Sequence, residues 1–112
     1  MANQIIPTDL FEAKFKRLKK KFRTLENDLK ELTDGLVEKP TLGESLGAGL
    51  HKVRLASKSK NKGKSGGFRI ITYLVVQTED STDIYLLTIY DKSEESTIHK
   101  DKLVALAKAL LG

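Results

Sequence analysis

Apolar positions recur along the chain at two periods, and the change from one to the other separates helical from extended stretches. Phe11, Phe15, Leu18 and Phe22 follow at spacings of four, three and four, which lines them up on one stripe of a helix. Asp9 stands ahead of them as an N-cap, and Glu12 three positions later completes a capping box. The stripe continues through Leu25, Leu29, Leu32 and Leu36, a pattern that one long helix or a short coiled coil also satisfies. A break near Thr24 is preferred. Thr24 is a competent N-cap, and the charges switch there from basic to acidic, as they do where a second helix begins. Two packed helices also suit a chain of 112 residues better than one rod of about 26.

Before the helices, Asn3 to Pro7 predicts a short edge strand that Pro7 ends. After them, Gly35, Pro40, Gly43, Gly47 and Gly49 punctuate a connection that cannot remain helical. The period then falls to two. Leu50 to Ala56 predicts a strand with Leu50, Lys52, Arg54 and Ala56 on one face and His51, Val53 and Leu55 on the other. Phe68 to Gln77 and Ile84 to Tyr90, joined by the polar turn Thr78 to Asp83, predict an antiparallel pair. Both are apolar on both faces, so helices should cover one side of the sheet and something else part of the other. Leu103, Val104, Leu106, Ala107, Leu110 and Leu111 predict an amphipathic helix ending at Gly112. The expectation is an α+β fold forming one domain over residues 1–112. Its parts are a short N-terminal strand, a two-helix hairpin, a three-stranded antiparallel sheet packed on that hairpin, and a C-terminal helix.

A composition of 39% hydrophobic and 31% charged residues is that of a soluble globular protein. No apolar run approaches the roughly 18 residues of a membrane span, and a signal-like N-terminus is lacking, so the expected location is the cytoplasm, without a membrane partner. The absence of cysteine excludes disulfides and thiolate chemistry. His51 and His99 lie too far apart for a metal motif, so neither metal nor cofactor is expected. The net charge of +5 and pI near 9.4 favour a polyanionic partner. Lys14, Lys16, Arg17, Lys19, Lys20, Lys21 and Arg23 form one basic block, and a second runs from Lys52 to Arg69, while acids gather elsewhere. Such asymmetry points to a basic face.

The second block holds the candidate chemistry. Ser57 to Gly67 has no apolar residue, and its Lys58, Lys60, Lys62 and Lys64 make it either a solvated hairpin loop or a grip on the phosphate backbone of a nucleic acid. Lys52 and Arg54 precede it and Arg69 follows, so pairing of the flanking strands would bring three cations onto one surface. Arg69 stands in an otherwise apolar strand, where an unpartnered guanidinium is costly. It either pairs with Asp83, Asp91 or Glu94, or forks onto a phosphate. Tyr73 and Tyr85 read as packing residues. Tyr90, beside Asp91 and Lys92 at a strand end, is placed to stack on a base or donate a proton. His99 is either a surface residue or a general acid or base, and His51 a packed or partner-facing one. Paired carboxylates, a Ser/His/Asp set and a Walker-type glycine loop are all missing, which leaves cationic stabilisation of phosphoryl charge.

Three stretches carry a family likeness. The run from Pro40 to Leu55, PTLGESLGAGLHKVRL, resembles the helix-to-strand passage of the RelE/ParE superfamily of toxins. GKSGGFRII from Gly63 to Ile71, followed by IYLLTIYDKSE from Ile84 to Glu94, resembles the two central strands of its RelE and HigB-like branch. With the order of elements, the resemblance spans nearly the whole chain. It implies a toxin of a type II toxin-antitoxin system, a metal-independent endoribonuclease that cuts mRNA at the ribosome and is restrained by a cognate antitoxin. In such enzymes the ribose 2′-hydroxyl attacks the adjacent phosphate and leaves a cyclic phosphate. Carried over residue by residue, the resemblance implies catalytic roles for Lys52, Arg54, Arg69 and Lys92. It also implies a departure, because the approximate place of the C-terminal catalytic tyrosine holds Ile98, next to His99, leaving Tyr90, His99 or a cation to protonate the leaving group. A ParE-like inhibitor of DNA gyrase and a domain that binds RNA without cutting it are the competing functions.

Overall fold

The computed structural model describes residues 3–57, 67–92 and 98–111. The chain runs through strand β1 (Gln4–Pro7), helices α1 (Asp9–Lys21) and α2 (Leu25–Glu38), strands β2 (Glu44–Gly47), β3 (Leu50–Leu55), β4 (Phe68–Thr78) and β5 (Ser81–Asp91), and helix α3 (Lys100–Leu111). The strands form one sheet in the order β1-β5-β4-β3-β2, antiparallel except where β1 runs parallel beside β5.

The break between the helices falls where the charge switch placed it, with Phe22 as the C-cap of α1 and Thr24 ahead of α2. Thr24 bonds the Asp28 carboxylate at 2.8 Å rather than a free amide of the helix start. The cap of α1 sits one residue earlier than the sequence reading put it. Thr8, not Asp9, accepts the Phe11 amide, and the same hydroxyl is directed at the carbonyls of Leu86 and Leu87. A threonine here caps the helix and ties it to β5 at once, which Asp9, already inside the helix, cannot do.

Two cores flank the sheet. Phe11, Leu18, Leu25 and Leu36 of the helical hairpin pack on Val53, Leu55, Phe68, Ile70, Ile84, Leu86 and Ile89. Phe22 closes edge-on against Phe68 with ring centroids 5.1 Å apart. On the other face, Leu103 and Ala107 of α3 pack on Leu50, Ile71, Leu87 and Tyr90. The sheet is thus covered from both sides, as its two-faced apolar strands require. Among the described residues the sheet has five strands rather than the expected four, because β2 pairs with β3 along an edge.

One irregularity decides which side chains reach the α3 face. Ile71 faces Thr88 while Thr72 faces Leu86, so Leu87 is an extra residue in β5. Strict alternation would send Tyr90 to the opposite side from Tyr85. The inserted residue resets the phase, and Tyr85, Leu87 and Tyr90 all join the α3 core.

Candidate active site

Strand register builds a row of polar side chains on that face. Arg54 lies opposite Arg69, and Arg69 opposite Tyr90, across three neighbouring strands about 4.8 Å apart. The next row along is Lys52, Ile71 and Thr88. Lys52, Arg54 and Arg69 therefore share one surface, the first condition for the cationic site. Arg54 is exposed, Arg69 half-buried and Tyr90 almost fully buried. Arg69 donates through Nη1 to the carbonyl of Phe68 at 3.2 Å, and among the described residues it has no ion pair with a carboxylate. Glu94, one of its candidate partners, lies outside the described residues. Two arginines directly opposed in an antiparallel pair repel each other, and this cost is recovered when an anion sits between them.

The backbone around the row is shaped by Gly67. Its φ of +92° favours glycine, and a Cβ there would stand 2.7 Å from the Leu55 carbonyl. Its own carbonyl accepts the Lys92 amide at 3.3 Å, which ties the exposed Lys92 to the start of β4, two residues from Arg69. Lys52 leans toward Glu44 of β2, with 3.8 Å between Nζ and Oε1.

Beside the row, between the sheet and the first turn of α3, lies a cavity of about 140 Å³. Lys52, Tyr90, Ile98 and Lys100 contribute to its lining. Ile98 packs against the α3 core and has no proton to give. His99 is exposed and serves α3 through its carbonyl, which accepts the Lys102 and Leu103 amides. His51 lies among Val53 and Leu55 on the opposite face, buried, and among the described residues its Nδ1 has no hydrogen-bond partner. Lys58, Lys60, Lys62 and Lys64 lie outside the described residues.

The sequence reading missed Glu44 and Lys100. Lys100 had a signal, because a cation in the first turn of a helix opposes the macrodipole. The first basic block occupies a second surface: Lys16, Arg17, Lys19, Lys20 and Lys21 are exposed on α1, across the sheet from the arginine row. Of these, Lys19 is paired with Glu26 at 3.2 Å.

Taken together, these features define an α+β protein with a mixed sheet, a helical hairpin on one face, a single helix on the other and a cationic row beside that helix. No protein-family model matches the sequence. Among solved structures, the chain is similar to the toxin RelE of E. coli, determined as a double arginine-to-alanine mutant in the free state. The TM-score is 0.58 at 15% identity, over 86% of this chain and 90% of that one. The chain has the RelE fold.

Proposed function

We propose that this chain is a toxin of the RelE type, a metal-independent endoribonuclease that cuts mRNA at the ribosome and is silenced by a cognate antitoxin. The observation that carries the reading is the register-built row of Arg54, Arg69 and Tyr90 with Lys52 alongside, on a fold shared with RelE.

In this reading the RNA backbone lies over the row. Lys52 and Arg54 hold the ribose and its phosphate, and Arg69 and Lys92 offset the charge that grows on the phosphoryl oxygens. The 2′-oxygen attacks the adjacent phosphorus, the bond to the 5′-oxygen breaks, and the products are a 2′,3′-cyclic phosphate and a 5′-hydroxyl. The 2′-proton leaves to a neighbouring base or water, and the 5′-oxygen takes one from Tyr90 or a lysine ammonium. The antitoxin suited to this surface is an acidic segment with apolar anchors that folds on the cationic row or displaces an element beside it.

Expression of the chain alone is the test. Wild type should stop growth and protein synthesis, and Arg69→Ala should relieve the arrest while keeping the wild-type circular dichroism spectrum. A folded Arg69→Ala that remains fully toxic would show that the site is misplaced. Arrest accompanied by gyrase-linked DNA breaks and intact mRNA would instead place the chain with ParE-like inhibitors, and RNA binding without arrest or cleavage would leave only a binding domain.

A further inference from the structure

We propose that the cavity under the first turn of α3 is a nucleobase pocket sized for a single six-membered ring, hence for a pyrimidine, with Lys100 a binding residue at its mouth. The inference rests on the reading of the chain as an RNA-cleaving protein and names part of the substrate it takes.

Size is the first argument. The cavity holds about 140 Å³. An apolar protein cavity of about 150 Å³ takes up benzene, so this space fits one planar ring, and a fused purine would overhang it. Chemistry is the second. Leu46, Ile71, Ile98 and Leu103 give apolar walls and Tyr90 an aromatic one, the surroundings in which an unstacked base is held by its faces. Lys52 and Lys100 are the charged groups of the lining, so the pocket joins an apolar interior to cations, as a base joined to its phosphate requires.

Lys100 is the telling residue. It opens α3, where the helix macrodipole opposes a positive charge. Its side chain nevertheless turns back across the sheet edge. A Cβ on Gly47 would stand 3.0 Å from Lys100 Nζ and 3.8 Å from Cε, which places the ammonium beside the turn between β2 and β3. An anion at the mouth would offset the unfavourable dipole. Lys52 also links the pocket to the arginine row, since Arg54 lies two residues along the same strand face, about 7 Å away. A nucleotide with its base in the cavity thus has its phosphate beside the proposed site of cleavage.

The test is a methyl NMR titration of the full chain with the 3′-monophosphates of cytidine, uridine, adenosine and guanosine, with inorganic phosphate and N-acetylphenylalanine amide as controls. The pyrimidine nucleotides should shift the methyls of Ile71, Ile98 and Leu103 and bind about tenfold more tightly than the purine ones. Phosphate alone should leave those methyls unmoved, and Lys100→Ala should weaken pyrimidine binding about tenfold. Filling the cavity with Ile98→Trp, or with Leu46→Phe should the first variant fail to fold, should abolish the shifts. Purines bound as tightly as pyrimidines, or an unchanged affinity in Lys100→Ala, would overturn the proposal. So would methyls that respond to the phenylalanine amide and not to nucleotides, since the pocket would then take a protein side chain. If the chain cuts RNA and the titration fails, only the pocket falls. If pyrimidine nucleotides bind in the cavity of a chain that cuts no RNA, the ribonuclease reading falls and the pocket stands.

Discussion

Replacing Arg54 by glutamine should stabilise the fold, because Arg54 and Arg69 face each other in register across β3 and β4. Directly opposed like charges in an antiparallel pair cost about 0.2–1 kcal/mol. Since Arg54 is exposed, a water-like dielectric applies, and Coulomb's law for charges about 6 Å apart gives about 0.7 kcal/mol, inside that range. Splaying of the long side chains lowers the figure, so a gain of about 0.5 kcal/mol is expected, or roughly 2–3 °C in Tm for a chain of this size. The assay is thermal and urea unfolding of wild type, Arg54→Gln and Arg54→Lys at about 0.01 M and 1 M salt, where the screening length falls from about 30 Å to about 3 Å. The glutamine variant should lead at low salt and lose its lead at high salt, and the lysine variant should track wild type. A glutamine variant less stable than wild type at low salt, or a lead unchanged at 1 M, would refute the view that the two arginines are held together against repulsion.

Four further substitutions test how the fold supports the site. Thr8→Ala should cost about 1 kcal/mol in urea unfolding, since the hydroxyl caps α1 and reaches β5, whereas Asp9→Ala should cost less than half of that; the reverse order would return the cap to Asp9. Gly67→Ala, which combines positive φ with a 2.7 Å approach to the Leu55 carbonyl, should lose more than about 1 kcal/mol and disturb the amides of Arg69 and Lys92; a neutral effect would deny that this glycine shapes the row. Phe68→Ala, fully buried and edge-on to Phe22, should lose about 3–5 kcal/mol by chemical denaturation, and a loss below about 1 kcal/mol would mean that the hairpin does not close the core here.

Periodicity carried most of the architecture, because the hairpin helices and β3, β4 and β5 each bury a regular set of side chains. The helix break at Phe22 to Thr24 was legible from the charge switch and the length of the stripe, whereas the side chain of Thr24 does not cap α2 as expected. Strand β2 was not, since Glu44 to Gly47 has Leu46 as its one apolar residue and owes its conformation to pairing with β3. The extra residue at Leu87 was hidden for a different reason: β5 is apolar on both faces, so its sequence shows no phase to interrupt. That bulge brings Tyr90 into line with Arg69, and so one of the three members of the row rested on a feature no pattern announced. Lys52, Arg54 and Arg69 were recognisable as one group because strand alternation and the flanking of a single loop both place them together. Lys100 depended on a contact across the fold, with Gly47, that spacing cannot express.

If the arginine row cuts RNA, as proposed, the cuts will be visible when mRNA 5′ ends are mapped in a translating extract. Purified wild-type chain should create new 5′-hydroxyl ends within the translated reading frame, in the presence of a chelator and only while ribosomes occupy the message. Arg69→Ala, folded as wild type, should lower the yield of those ends by at least about 100-fold, the scale of losing one charge-stabilising donor. Unchanged ends with Arg69→Ala, or a wild-type chain that arrests cells and leaves every message whole, would mean that the row does not cut RNA.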